Sequence, residues 1–479
     1  MDEFALLDAT AQARLVARRE VTPLELVDAA IARIERLDGR VNAVISRQFE
    51  QAREQAREPL PDGPFRGVPF LLKDLGTSAQ RGHPQTFGCR ALAHHVPDYD
   101  CELTLRYQRA GLIVLGRTST PEFGIPPITE PLLFGPCRNP WDLGHSPGGS
   151  SGGAAAAVAA RMVPAAHGSD AGGSIRIPAS ACGLFGLKPT RARHPAGPRL
   201  GETGVAGLSS DHCVSISVRD SAALLDAISG PEPGAPYIAP PPVRPYAQEV
   251  GTPVGELRIG VMRIPLNGVP VHPDCLAALD DAIALCRSLG HEVVEAQPVL
   301  DDPEGFAQAF VNAYLLMAAS NVDMIEALVG RPAVQDDVEP LTWAMAQAGR
   351  ALGGGEYLRG LRMLHAGGRQ VARFFATHDL VLSPTMARPP LRIGELRYPA
   401  EDPVSGLIEA GKAVPFTGLF NATGQPAMNV PLYWNADGLP IGVQFAARYG
   451  DEATLVRLAS QLEQARPWAH RLPPLLQER

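Results

Sequence analysis

The first clear pattern of polar and apolar positions predicts an amphipathic helix that begins after Thr22. Thr22 is a favourable N-cap, Pro23 suits the first helical position, and Glu25 completes a capping box with Thr22. Apolar residues then recur at helical spacing as far as Gly39, which favours the end of a helix. A second, charged helical segment follows and extends to about Glu58.

Short, uninterrupted apolar runs predict buried strands. One run covers Gly67 to Leu75 and contains a single lysine, Lys73. Two others cover Leu112 to Leu115 and Asp379 to Thr385. Runs of this length without polar alternation are typical of strands that are covered on both faces.

The second half of the chain predicts a strand, helix, strand unit between residues 257 and 296. Residues 305 to 375 have mainly helical patterns, with expected breaks at LGGGEY (352–357) and AGG (366–368). A final pair of strands and a covering helix over 452–464 follow. These elements predict an α/β fold in which a mixed, largely parallel central sheet is sandwiched between helices.

Composition and charge narrow the class of partner. The chain has 479 residues, 45% of them hydrophobic, and a formal net charge of −8. Because this charge provides no broad basic field, we expect neither nucleic acid nor a membrane as a partner. We expect a small-molecule substrate instead.

The cysteines and the N-terminus indicate the compartment. The seven cysteines are odd in number and scattered, so they predict neither a disulfide framework nor a zinc site. The first residues, MDEFALLDAT, lack the basic and apolar regions of a signal peptide. A reducing cytoplasm is therefore the expected location.

Three segments carry the candidate chemistry: Lys73 in its apolar run, GGSSGG at residues 148–153, and GSDAGGSIRIP at residues 168–178. None of them contains a histidine. The residues around Ser150 fit the pattern G-x-S-x-G, but no apolar strand precedes the serine as a nucleophile elbow requires. A phosphate-binding loop is excluded as well, since the G-K-[ST] ending is missing.

A lysine can replace histidine as the base when burial keeps its amine neutral. Lys73 would then remove a proton from a serine, which attacks a carbonyl carbon and forms an acyl-enzyme. The glycines that precede Ser174 allow the backbone to approach a substrate and to turn N–H groups toward the developing oxyanion. The alternative is a structural lysine paired with the adjacent Asp74 or another carboxylate.

Together with CGLFGLKPT (182–190), these segments closely resemble the amidase signature family of serine hydrolases, and the resemblance extends over nearly the whole chain. It implies that Ser174 is the nucleophile and Lys73 the base. It also implies that Ser150 bridges the two from behind a cis peptide bond with Gly149. The base thus reaches the nucleophile through another serine, and no histidine is needed.

The resemblance implies further roles. The backbone N–H groups expected in the oxyanion hole are those of Ala171, Gly172, Gly173 and Ser174. The residues expected to support the site are Ser151, Asp170, Arg176 and Gly149. The residues considered for substrate contact are Glu130, Tyr314 and Phe416. His167 is expected to be a packing residue. No cofactor and no metal are implied.

Within the family, three segments, at residues 128–153, 186–198 and 244–248, look most like the bacterial amidases related to 6-aminohexanoate cyclic dimer hydrolase. We expect residues 1–60 to form helices that pack on the core and 61–479 to form the amidase signature domain. Within it, a variable, mainly helical segment at about 300–376 is expected to build the substrate pocket. The expected substrates are neutral aryl amides, oligoamides or carbamates, and cleavage of esters is expected as a side activity. The default assembly is a homodimer.

Other interpretations stay open. One is the glutamine-dependent amidotransferase A-type subunit, although RARHPAGP follows the KPT motif here instead of the YGRVSR typical of that branch. Another is a binding protein that keeps the fold without catalysis. A metal bound at His94 and His95 is disfavoured because no third ligand is nearby in the sequence.

Overall fold

The structure is a computed structural model that describes residues 2–399 and 401–477. Eleven strands of the described chain form one sheet. They are β1 (Val44–Arg47), β2 (Pro69–Lys73), β3 (Ile113–Thr118), β4 (Ala165–Asp170), β5 (Phe185–Lys188), β6 (Ser210–Ser215), β7 (Arg258–Val261), β8 (Glu292–Glu295), β9 (Leu380–Pro384), β10 (Ala427–Trp434) and β11 (Pro440–Ala447).

The helices cover both faces of this sheet. They are α1 (Ala9–Ala17), α2 (Pro23–Val41), α3 (Phe49–Arg57), α4 (Glu102–Arg109), α5 (Gly152–Ala159), α6 (Arg176–Cys182), α7 (Val218–Ile228), α8 (Pro273–Ser288), α9 (Pro303–Val329), α10 (Pro340–Arg350), α11 (Gly354–Phe374), α12 (Pro403–Ala413), α13 (Gly418–Thr423) and α14 (Glu452–Ala465). None of the described helices has both the length and the apolar character that a membrane crossing requires.

The sheet has the order β1-β3-β2-β4-β6-β5-β10-β11-β9-β7-β8. Four of its ten interfaces are parallel and six are antiparallel. The α/β class and the mixed sheet are therefore confirmed, whereas the expected predominance of parallel pairing is wrong. The strands from β4 to β9 in the sheet order pair antiparallel in succession. Helices cover both faces of the sheet, so burial on both faces does not distinguish parallel from antiparallel pairing here.

Alternation along β2 shows how the sheet separates the core into layers. Phe70 and Leu72 pack on one face together with α4, α7, α8 and α14. Leu71 packs on the other face, against the alanine-rich helix α5. Because side chains alternate along a strand, Lys73 points to the same face as Leu71. This places the lysine amine on the side of α5 and of the loop before it.

Two predicted helix boundaries were wrong. The capping box of Thr22 and Glu25 is confirmed, but α2 continues through Gly39 to Val41, and its C-cap, Asn42, adopts the left-handed conformation. The expected break at residues 366–368 does not occur, because these residues lie within α11. Gly367 faces the ring of Phe306 there, so the small residue serves close packing of α11 on α9.

Candidate active site

The sheet brings the three predicted catalytic residues to one edge. Lys73 is the last residue of β2, and Asp170 is the last residue of β4, which pairs parallel with β2. The carboxyl ends of parallel strands meet at the same edge of a sheet. Ser174 lies in the turn between β4 and α6, and Ser150 lies directly before α5.

Lys73 is fully buried and hydrogen-bonded to serines. Its Nζ lies 2.7 Å from Ser150 Oγ and 2.9 Å from Ser169 Oγ. Burial lowers the pKa of Lys73 to about 7, against the opposing charges of Asp211 and Asp170. A substantial fraction of the amine is therefore neutral near neutral pH, as a base requires.

The alternative pairing of Lys73 with Asp74 is not observed. The carboxylate of Asp74 instead accepts hydrogen bonds from the backbone N–H and the hydroxyl of Thr86. Since the hydrogen bonds of the Lys73 amine go to serine oxygens, the geometry favours a base over a structural ion pair.

The loop before α5 fixes the two neighbouring serines. The Gly149–Ser150 peptide bond is cis. A Cβ on Gly149 would lie 2.6 Å from the backbone oxygen of Ile128, so only glycine fits there. Ser151 accepts the N–H of Ser169, donates to the Ser169 carbonyl, and gives its own N–H to the carbonyl of Ser174 at 3.2 Å. The loop, β4 and the Ser174 turn are thereby tied together.

Asp170 holds the turn that carries Ser174. Its carboxylate accepts the backbone N–H of Gly173 at 2.7 Å and that of Ile175 at 3.1 Å. It also forms a fully buried, bidentate ion pair with Arg176, with two contacts of 2.9 Å. Burial raises the pKa of the Asp170 carboxyl, but the charge and hydrogen bonds of Arg176 outweigh this effect and hold the pKa well below its ordinary value.

This geometry corrects one predicted oxyanion-hole residue. Because the N–H of Gly173 donates to Asp170, it is not a free donor for substrate. Among the described residues, the N–H groups of Ala171, Gly172 and Ser174 have no hydrogen-bond partner. A row of unpaired N–H groups beside a serine is an arrangement that stabilises a developing oxyanion.

Partners of Arg176 that sequence reasoning missed complete the support of the turn. Arg176 donates to the side chains of Asn421 and Gln444, and Asn421 donates to the carbonyl and the carboxylate of Asp170. Thr417 donates its hydroxyl to the carbonyl of Gly172. Asn421 and Gln444 lie in FNATGQPA (420–427) and GLPIGVQ (438–444), two segments in which the resemblance to the family is recognisable, and this was the available signal.

His167 is more than a packing residue. Its Nδ1 accepts the backbone N–H of Lys73 at 3.2 Å, so its Nε2–H donates to Asp211 at 3.0 Å. Burial lowers the pKa of His167 although Asp211 opposes this, and the ring is therefore neutral. His167 thus positions the strand end that carries the lysine and links it to a buried carboxylate.

A cavity of about 510 Å³ opens at Ser174. Tyr314 lines it, together with Phe306 and Phe310 of the same helix, α9. The other two candidates for substrate contact lie elsewhere. Glu130 accepts the N–H of Gly394 and does not line this cavity, and Phe416 is fully buried in the core.

Most of the cavity wall is apolar. It includes Ile125, Pro126, Leu407, Val414, Pro415 and Leu419. Gly124 also lines it, and a Cβ there would lie 2.9 Å from Ser150 Oγ, so Ser150 adjoins the cavity wall. The site therefore presents a nucleophile candidate, unpaired N–H donors and a buried lysine beside an apolar chamber.

Comparison with known proteins identifies the family of the chain. The model of the amidase family matches residues 25–456. The chain belongs to the amidase signature family. Its relatives include the 6-aminohexanoate-cyclic-dimer hydrolase of Pseudomonas sp. (strain NK87), which is 41% identical over 98% of this chain and 97% of the relative. As a member of this family, the chain is a hydrolase that acts on amide bonds.

Solved structures of family members share the whole fold. A structure of 6-aminohexanoate cyclic dimer hydrolase complexed with substrate superposes with a TM-score of 0.93 at 40% identity, covering 98% of this chain and 99% of the other. A bacterial aryl acylamidase of the amidase signature family superposes with a TM-score of 0.88 at 26% identity, covering 99% of both chains. These likenesses confirm the predicted family and subgroup resemblance.

Proposed function

We propose that this amidase cleaves neutral C–N bonds through an acyl-enzyme on Ser174, with Lys73 as the base and Ser150 as the bridge between them. The observation that carries the proposal is the 2.7 Å contact of the buried Lys73 amine with Ser150 Oγ. It supplies a base with a pKa of about 7 beside a cavity that opens at Ser174.

The steps follow from this arrangement. Ser150 takes the proton of Ser174 and gives its own proton to the neutral amine of Lys73, while Ser174 Oγ attacks the carbonyl carbon. The N–H groups of Ala171, Gly172 and Ser174 stabilise the negative charge on the carbonyl oxygen. The C–N bond then breaks, and the proton returns through Ser150 to the leaving amine. A water molecule then attacks the acyl carbon and gives its proton through Ser150 to Lys73, and this proton returns to Ser174 Oγ when the bond between the acyl carbon and Ser174 Oγ breaks.

The lining of the cavity favours binding of an uncharged substrate. Among its lining residues Glu304 alone is charged, and this side chain is exposed to solvent. An apolar chamber of this volume suits an aryl amide, a short oligoamide or an aryl carbamate, because burying a charge there would cost free energy without a partner. Carbamates and esters present the same carbonyl carbon to the same nucleophile, so urethane and ester cleavage belong to the proposal.

Product release from a matched substrate panel tests the proposal. The panel contains an aryl amide, a linear 6-aminohexanoate oligomer, its cyclic dimer, an aryl carbamate and glutamine, each followed by mass spectrometry with Ser174→Ala as the control. We expect turnover of one or more of the neutral amides or carbamates by the purified chain, lost in the variant. Turnover of glutamine alone would favour the amidotransferase subunit, and full activity of Ser174→Ala would remove the mechanism.

A further inference from the structure

We propose that the phenol O–H of Tyr314 donates a hydrogen bond to the scissile carbonyl oxygen, which makes Tyr314 a side-chain member of the oxyanion hole. This inference rests on the proposed nucleophile, Ser174. It goes beyond the backbone donors that the resemblance implied, and it gives Tyr314 a catalytic role where the sequence suggested only pocket contact.

The position of the hydroxyl is the first argument. A Cβ placed on Gly172 would lie 2.6 Å from the Tyr314 oxygen, so the phenol packs directly against this glycine. Gly172 carries one of the three unpaired N–H groups and lines the same cavity as Ser174. The hydroxyl therefore lies beside the backbone donors, on the cavity side of the turn.

The Tyr314 hydroxyl is free to bind a ligand. In the described chain, the Tyr314 hydroxyl makes no hydrogen bond, although Tyr314 lies on a largely apolar wall. Asn267 and Glu304 are the other polar side chains of that wall apart from Ser174, and both are exposed to solvent. The Tyr314 hydroxyl is accessible from the cavity, so its proton can be donated to a ligand atom there. The carbonyl oxygen of a substrate on Ser174 is such an acceptor.

The turn that carries Ser174 has room for a further donor. Because Asp170 takes the N–H of Gly173, the turn offers fewer free donors than its sequence suggests. Tyr314 restores one. Its ring packs against Phe310 with the centroids 5.1 Å apart, which fixes the hydroxyl before substrate binds. Burial also raises the pKa of Tyr314 well above its ordinary value, so the phenol stays protonated and able to donate.

The decisive comparison is Tyr314→Phe against Tyr398→Phe. The hydroxyl of Tyr398 also has no hydrogen-bond partner, but it is buried and Tyr398 does not line the cavity. Tyr398→Phe therefore removes the same atom away from the proposed substrate site. With 4-nitrophenyl butyrate and its 4-nitroanilide as probes, we expect Tyr314→Phe to lower kcat about 100-fold with little change in KM. Tyr398→Phe is expected to keep the wild-type values.

A second readout does not depend on the choice of substrate. The rate of Ser174 labelling by a fluorophosphonate, whose P=O oxygen occupies the oxyanion position, is expected to fall by a similar factor in Tyr314→Phe. Wild-type kcat and labelling rate in Tyr314→Phe, or a loss confined to KM, would overturn the inference. Turnover and labelling that survive in Ser174→Ala would instead overturn the proposed function, so the two failures are distinguishable.

Discussion

Lys73 Nζ and Ser150 Oγ lie 2.7 Å apart, and both residues are almost completely buried. This contact joins the end of β2 to the loop before α5, which are 77 positions apart in the chain. Burial keeps a substantial fraction of the lysine amine neutral near pH 7, and the serine hydroxyl gives that amine a path for a proton. Activity should therefore depend on the protonation state of Lys73.

The pH dependence gives the first prediction. Because the neutral amine is the active form and the pKa of Lys73 is about 7, we expect kcat/KM to rise with pH through a single limb near 7 and to level off above it. Steady-state rates between pH 5 and 9 measure this rise.

Lys73→Ala is expected to lower the rate of amide cleavage at least about 100-fold and the rate of cleavage of an activated ester by less, since a phenolate leaves without a proton. Equal losses on both substrates would count against the base.

The buried carboxylate of Asp211 should influence the pH at which kcat/KM rises. Its negative charge raises the pKa of Lys73, so Asp211→Asn removes a stabilising charge and we expect the limb at lower pH. Asparagine can still accept the hydrogen bond of His167, which preserves the contact. Asp142→Asn, at an exposed carboxylate, is the control and should leave the limb in place. A limb that moves to higher pH in Asp211→Asn would contradict this electrostatic account.

The ion pair under the nucleophile turn should dominate stability. Asp170→Asn leaves the guanidinium of Arg176 buried without its carboxylate, and we expect a loss of about 3–5 kcal/mol in the free energy of unfolding. Urea denaturation measures the change. Asp98→Asn breaks an exposed pair with Arg199 and should change the same free energy by less than about 1 kcal/mol. Similar effects of the two substitutions would refute the assigned role of the buried pair.

Two glycine substitutions should change the stability of the protein in opposite directions. In Gly149→Ala the new Cβ meets the backbone of Ile128 at 2.6 Å, so we expect a lower melting temperature and a loss of activity. In Gly39→Ala, inside α2, nothing lies within 4 Å of the new Cβ, and we expect a gain of about 0.5–1 kcal/mol. Differential scanning calorimetry measures the change in thermal stability of each variant and thus its direction. A harmless Gly149→Ala would show that the loop is less constrained than its contacts indicate.

Local signals in the sequence predicted much of the fold. The capping box of Thr22 and Glu25 depends on neighbouring residues and was confirmed, as were the buried strands β2 and β9. The end of α2 was missed because Gly39 is compatible with a helix interior when Asn42 provides the left-handed cap. Strand β4 was missed because its sequence, AAHGSD, contains small and polar residues of low strand propensity, and pairing with β2 and β6 makes it a strand.

The same limit applies to the site. Lys73, Ser150 and Ser174 lie in motifs that the sequence displays, and the structure brings their segments together. Contacts that depend on strand pairing could not be predicted from the sequence. One example is the contact of His167 with Asp211, which depends on the register of β4 with β6. The sequence also could not predict that the N–H of Gly173 is taken by Asp170, because this depends on the orientation of the Asp170 carboxylate.

Trapping the intermediate tests the central claim most directly. The purified chain is mixed with 4-nitrophenyl butyrate, quenched in acid during the first turnovers, and analysed by intact mass and peptide mapping. The account predicts a burst of nitrophenolate and one butyryl group on the peptide that contains Ser174, both lost in Ser174→Ala. A butyryl group on another residue, or hydrolysis that Ser174→Ala performs at the wild-type rate, would contradict it.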